Sequence, residues 1–205
     1  MRNIILILFV LAGFTDIWCA ETQKKRIMKP FLMPLLALWY FLSSSGPDYR
    51  IIAGLFFGWL GDVILLKKNK KRIAAGLAAF FMGHVMYIFA VFRPVQFSLY
   101  MAAGILIYSA YILLVVRKLF PYVGRKMRIP VSIYILIISL MSFLAFVRAS
   151  AYPSLPVFLI WAGSVFFVIS DSILAFAFFR KKREHLVMET YLAAQLLIVL
   201  GFLFS

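Results

Sequence analysis

The chain has 205 residues, of which 65% are hydrophobic and 14% charged, and its mean hydropathy is +1.00. This composition excludes an ordinary soluble domain and a disordered one, since neither carries so much apolar surface. A net charge of +15 would suit nucleic acid if the basic residues formed a continuous face, but they fall in bursts between long apolar runs.

A helix needs about 20 mostly apolar residues to cross a hydrocarbon core ~30 Å thick. Eight runs between the bursts meet this need, at roughly 3–20, 30–45, 50–66, 73–92, 97–116, 129–147, 156–179 and 188–204. The second and third are short, so tilt or local bilayer thinning is expected there. The first run follows Met1-Arg2-Asn3 like a signal peptide, but Trp18 and Asp16 are unsuited to cleavage after Ala20, which predicts a retained helix. Cys19 is the only cysteine, so neither an intrachain disulfide nor a cysteine-based metal cluster is available. The predicted fold class is an all-α membrane protein with eight transmembrane helices, one polytopic domain over 1–205.

Eighteen of the 22 basic residues lie in four loops. The first holds Lys24, Lys25, Arg26 and Lys29, and the second Lys67, Lys68, Lys70, Lys71 and Arg72. The third holds Arg117, Lys118, Arg125, Lys126 and Arg128, and the fourth Arg180, Lys181, Lys182 and Arg183. The alternate side carries only Arg2, Arg50, Arg93 and Arg148. This is the positive-inside pattern, so the basic loops face the cytoplasm and both termini face away from it, as in a bacterial plasma (inner) membrane. Topology and attraction to anionic membrane lipids account for the charge, and no nucleic-acid partner is needed.

The chain also reads as two parallel four-helix repeats, about 1–95 and 96–205. At an offset of 109 residues Gly54 meets Gly163, Asp62 meets Asp171, and Ile64-Leu65 meets Ile173-Leu174. A small residue, Gly61 or Ser170, precedes each aspartate, and Lys29-Pro30 and Ile129-Pro130 open the second helix of each half.

Ionisable groups at membrane depth are costly and mark bundle interiors or aqueous cavities. Asp62 lies five residues before Lys67 and Asp171 nine before Arg180, about 7 and 13 Å from the basic end at ~1.5 Å per residue. His84 and Tyr87 lie on one face of the fourth segment, and Tyr191 and Gln195 on one face of the eighth. Lys29 starts the second. Plainer roles exist for each: Gly54 and Gly58 beside Asp62 suit close helix packing, Lys29 can snorkel, and His84 can be an interior hydrogen-bonding residue. Together they fall in one half of the membrane, which points to a site. Two nearby carboxyls in low dielectric do not both ionise, so one serves as acid and the other as base, with His84 holding a proton between them or orienting water. No serine-nucleophile elbow, P-loop or zincin motif is present.

Lys29-Pro30, Gly61-Asp62, Gly83-His84 with Tyr87, Tyr134 with Ser139 and Met141, Ser170-Asp171, and Tyr191 with Gln195 run in this order over the second to eighth segments. The set closely resembles the YhhN-like membrane family, whose animal members are lysoplasmalogenases. Met28 departs from it, standing where the family often has threonine. The resemblance implies hydrolysis of the alkenyl ether of a lysoplasmalogen, a lysophospholipid, by water, giving a fatty aldehyde and glycerophosphocholine or glycerophosphoethanolamine. Asp62, Asp171 and His84 would be catalytic, and Lys29, Tyr87, Tyr191 and Gln195 would hold substrate or water, with Lys29 on the phosphate. Which aspartate is the acid stays open, as does the oligomeric state; no cofactor or metal is required. The alternative is a carrier or channel for a lysolipid or small solute, which parallel repeats with polar residues near an axis would also fit. Against it, the outer half of the membrane is almost unbroken hydrocarbon.

A reporter fused to Ser205 is expected to be active only when it is a type that works outside the cytoplasm. A cytoplasmic reporter active there would overturn the topology.

Overall fold

In a bilayer every backbone polar group must be satisfied within the protein, which leaves only helices or a closed barrel as spanning structures. The computed structural model, which describes residues 2–22, 26–66, 70–180 and 184–205, is helical throughout. Its helices are α1 (Arg2–Glu21), α2 (Lys29–Ser43), α3 (Tyr49–Leu65), α4 (Lys70–Val91), α5 (Leu99–Leu119), α6 (Arg128–Ala151), α7 (Leu155–Arg180) and α8 (Glu184–Leu203). A 3₁₀ turn at Arg125–Met127 leads into α6, and no strand occurs among the described residues. Met1, Lys24, Lys25, Lys67, Lys68, Lys181, Lys182 and Arg183 lie outside the described residues.

By length and composition six helices can each cross a membrane: α1, α4, α5, α6, α7 and α8. The chain is therefore an all-α integral membrane protein. Helices α2 and α3, with 15 and 17 residues, are shorter, at the two places where the sequence predicts tilt or thinning. Most ends agree with the apolar runs to a few residues. The clearest difference is α6, which continues to Ala151 instead of stopping before Arg148. The Arg148 side chain is buried and its guanidinium lies 5.4 Å from the centroid of the Phe202 ring, so this charge sits inside the helix without ending it.

Packing is closest in two antiparallel pairs, α3 with α4 and α7 with α8. Glycine sets the approach in both. A Cβ on Gly163 would lie 2.8 Å from the Ala194 carbonyl oxygen, and one on Gly54 would lie 2.3 Å from the Tyr87 ring. Helix α1 lies on α2 and α8, α6 packs on α4, α5 and α7, and α2 packs on α3. The consecutive helices α4 and α5 barely touch. Helix α5 is the most lipid-facing, with Leu106, Ile107, Leu113 and Leu114 exposed.

Two local devices hold the second and third helices. Pro34 lies inside α2 and has no N–H, so the Pro30 carbonyl loses its helical partner. The Trp59 indole N–H of α3 donates to that carbonyl at 2.9 Å, tying α2 to α3 where it would otherwise be weakest. At the other end Asp48 caps α3 through the Arg50 N–H at 2.9 Å, and the Arg50 guanidinium holds its carboxyl below the usual carboxylate range.

Gly163→Ala is expected to lower stability by about 1–3 kcal/mol, because its nearest obstacle is backbone and cannot rotate away. Gly46→Ala, which meets nothing within 4 Å, is expected to be neutral. Thermal unfolding in detergent measures both, and equal melting temperatures would contradict the packing described.

Candidate active site

The first cluster grows from the start of α2. Pro30 in the first turn favours a helix start, which sets Lys29 at the edge of the bundle facing α3. Its Nζ is 2.9 Å from Asp62 Oδ1, and both side chains are buried. A lone carboxylate or ammonium at that depth would be costly, and pairing removes most of the penalty. Asp62 Oδ2 has no hydrogen-bond partner among the described residues, while the Tyr191 hydroxyl adjoins the carboxylate.

From Tyr191 a hydrogen-bonded chain crosses the bundle. Gln195 Nε2 donates to the Tyr191 oxygen at 3.3 Å, and the Tyr87 hydroxyl donates to Gln195 Oε1 at 2.5 Å. This fixes the orientation of the amide. Since the Tyr191 oxygen accepts from Gln195, its own proton is free to serve Asp62. The absence of a side chain at Gly58 makes room for this chain: a Cβ there would lie 3.0 Å from both Gln195 Nε2 and the Tyr191 oxygen.

The second cluster joins α4, α6 and α7. The Tyr134 hydroxyl donates to Asp171 Oδ2, and His84 Nε2 lies 3.1 Å from the Tyr134 oxygen and 3.4 Å from the same carboxylate oxygen. Because the single Tyr134 proton goes to Asp171, His84 Nε2 must be the donor in its contacts. Its Nδ1 is buried without a partner, which fits the Nε2–H tautomer, since a bare lone pair there is less costly than an unpaired N–H. Phe167 lies between the clusters, its ring centroid 4.9 Å from that of His84 and 5.5 Å from that of Tyr191.

Asp171 and Tyr134 also line a cavity of about 630 Å³ bordered by the end of α3, by α4, α5, α6 and α7, and by the 3₁₀ turn. Its wall is mostly aliphatic, and Asp171 is the only carboxylate among its described lining residues. The Tyr111 and Ser172 hydroxyls, 2.7 Å apart, add a polar patch beside Asp171. Among the described residues no three His, Cys, Asp or Glu side chains come together as metal ligands.

All seven residues singled out from the sequence have buried or partly buried side chains in these two clusters, but the grouping differs from the one expected. Each carboxylate has its own partners: Lys29 and Tyr191 for Asp62, Tyr134 and His84 for Asp171. Asp62 does not line the cavity that Asp171 lines. Lys29, expected on the phosphate, is instead paired with Asp62 and is absent from the cavity wall. A buried carboxylate in apolar surroundings takes the nearest cation, and Lys29 is that cation. Tyr134 was missed as a site residue, although a tyrosine six residues inside α6 already needs a partner for its hydroxyl. Asp16 was missed too: it is fully buried on α1 and paired with Arg26.

An all-helical membrane bundle with Asp62 buried in one hydrogen-bonded cluster and Asp171, partly buried, in another on an apolar cavity defines the class. The chain belongs to the YhhN family, whose model matches residues 24–202. It is 31% identical over 172 residues to lysoplasmalogenase TMEM86B of Homo sapiens, covering 82% of this chain and 70% of that protein. To lysoplasmalogenase TMEM86A of Bos taurus it is 29% identical over 189 residues, covering 82% and 75%. To lysoplasmalogenase TMEM86B of Rattus norvegicus it is 26% identical over 200 residues, covering 92% and 78%. No solved structure matches the chain.

Lys29→Met leaves Asp62 buried without its counter-charge, and the expected loss of stability is about 3–5 kcal/mol. Lys29→Met combined with Asp62→Asn should recover most of it. Melting temperatures of the purified variants in detergent give the comparison, and a double variant as unstable as the single one would contradict the pairing.

Proposed function

We propose that this membrane protein hydrolyses the vinyl ether bond of lysoplasmalogens, releasing a fatty aldehyde and glycerophosphocholine or glycerophosphoethanolamine. The observation that carries the reading is the apolar cavity of about 630 Å³ whose one carboxylate among the described lining residues, Asp171, is hydrogen-bonded by Tyr134. The lysoplasmalogenase relatives supply the reaction to which this geometry is matched.

A vinyl ether is cleaved by protonating its β-carbon, which makes the α-carbon an oxocarbenium ion that water captures. In this reading Asp171 is the acid. Its Oδ2 accepts from Tyr134, so its proton is carried on Oδ1 toward the cavity. Once the proton has moved to carbon, Tyr134 and His84 stabilise the new carboxylate, which takes a proton from the attacking water. The hemiacetal then collapses: Asp171 returns that proton to the glycerol oxygen, the C–O bond breaks, and the hemiacetal hydroxyl gives its proton to the Asp171 carboxylate as the aldehyde forms. One water is consumed and Asp171 regains its starting state. Asp62 is paired with Lys29 outside the cavity wall and takes no proton in these steps. Tyr191, Gln195 and Tyr87 hold that carboxylate in place.

The two-repeat organisation belongs to the same proposal. The pairings α1–α2, α2–α3 and α3–α4 recur as α5–α6, α6–α7 and α7–α8, which supports it. We also propose that the basic loops face the cytoplasm, with the site toward that leaflet.

Asp171→Asn is expected to reduce aldehyde release from a vinyl-ether lysolipid by about 10²–10⁴-fold. Asn keeps the shape and most hydrogen bonding, so the melting temperature should change little. The saturated alkyl-ether analogue should bind without reacting, since it has no carbon to accept the proton. Purified protein that leaves the vinyl ether intact, while liposomes containing it move lysolipid across the bilayer, would overturn the hydrolase in favour of a carrier.

A further inference from the structure

Three basic residues close the loop between α5 and α6, and the structure gives them different work. Arg128 is committed to the loop itself: its guanidinium donates to the Val123 and Phe120 carbonyls, each at 3.4 Å, and lies 5.5 Å from the Phe120 ring centroid. Leu119 and Val123 are buried in a small apolar cluster beneath. The loop is therefore pinned, and the 3₁₀ turn that follows forms one edge of the cavity. Arg125 and Lys126 lie on that edge, exposed, with no acidic partner among the described residues.

Other described cations at the basic end are placed differently. Lys29 is closed on Asp62 and Arg26 on Asp16. Arg117 and Lys118, in the same loop region, are exposed but do not line the cavity. Among the described residues, Arg125 and Lys126 are thus the cations an anion would meet at the cavity mouth. Tyr134 stands eight residues past Lys126, about 12 Å deeper along the helix at ~1.5 Å per residue. The long Arg and Lys side chains shorten that gap to the scale of a glycerophosphate. Along the side of the cavity α4 and α5 barely pack on one another, although Ile73 and Leu77 of α4 and Val115 of α5 all line it. This leaves an apolar slot toward the bilayer for an alkyl chain.

We propose that Arg125 and Lys126 bind the phosphate of the lysolipid headgroup, with the alkyl chain passing between α4 and α5 and the ether carbon presented to Asp171. The proposal rests on the hydrolase reading for the identity of the reacting bond, but not for the phosphate contact itself. The only carboxylate among the described lining residues lies deep, at Asp171, so nothing described at the rim pairs with a choline or ethanolamine ammonium. Recognition is of the phosphate, which Arg grips with a planar fork and Lys as a point charge.

The test measures binding of a saturated alkyl-ether lysophospholipid and of the matching uncharged alkylglycerol to the full-length protein in neutral detergent, by calorimetry. Wild type should bind the phospholipid at least about tenfold more tightly, the size of effect a charged contact supplies. Arg125→Gln/Lys126→Gln should remove that difference and leave alkylglycerol binding unchanged, which also shows that the cavity is folded. Arg117→Gln/Lys118→Gln takes the same two charges from the neighbouring surface and should have no effect. Undiminished phospholipid binding by the first variant, or an equal loss in the second, would overturn the phosphate site. Aldehyde release is assayed separately: wild type that binds as described but leaves the vinyl ether intact would overturn the hydrolase reading and leave the phosphate site standing.

Discussion

A charge inside an apolar bundle has to be answered by another group, and the structure follows from how each one is answered. Asp62 is met by Lys29 at 2.9 Å, and Asp16 by Arg26. Both cations come from the start of α2 or just before it, so two ion pairs fasten that short helix to its neighbours α3 and α1. Helix α2 has 15 residues and a proline in its interior, and would be a poor membrane element by itself. Ion pairing, the Trp59 bond to the Pro30 carbonyl and its apolar contacts hold it in the bundle together.

Asp171 is answered differently. Among the described residues its partners are the Tyr134 hydroxyl and His84, and it borders a cavity where Asp62 does not. Asp62 and Asp171, 109 residues apart in the sequence, thus have unlike chemistry. One is paired with the Lys29 ammonium at 2.9 Å. The other accepts from the Tyr134 hydroxyl on one oxygen, which leaves its second oxygen able to carry or release a proton. A group that must give up a proton and regain it within one turnover needs the second kind of surroundings. The cavity opens where α4 and α5 barely pack on one another, whereas α1 packs on α8.

Much of this was legible beforehand, because hydrophobicity and charge placement are properties of local sequence. The eight helices follow from the apolar runs, and the intramembrane Asp62, His84, Asp171 and Gln195 stood out by their cost. Pairing was not legible. Lys29 at a helix start reads equally as a snorkelling anchor, a phosphate ligand or a counter-ion, and only the approach of α3 decides among them. Asp16 was seen merely as a residue unfit for signal cleavage, since its partner Arg26 sits in a loop that also reads as a topology signal. Arg125 and Lys126 were hidden in the same way, being two basic residues in a loop of five. The α4–α5 gap that forms the cavity is a property of tertiary packing and leaves no local pattern.

The central claim is that Asp171 delivers a proton to carbon from one face of the cavity. Hydrolysis of a vinyl-ether lysolipid by the purified protein in heavy water, with the aldehyde trapped at once as its alcohol, tests this directly. The account predicts one deuterium on the carbon next to the former carbonyl, in a single configuration, because the donor is fixed on one wall of the site. Product lacking that deuterium, or carrying it in both configurations equally, would contradict proton delivery by a positioned acid.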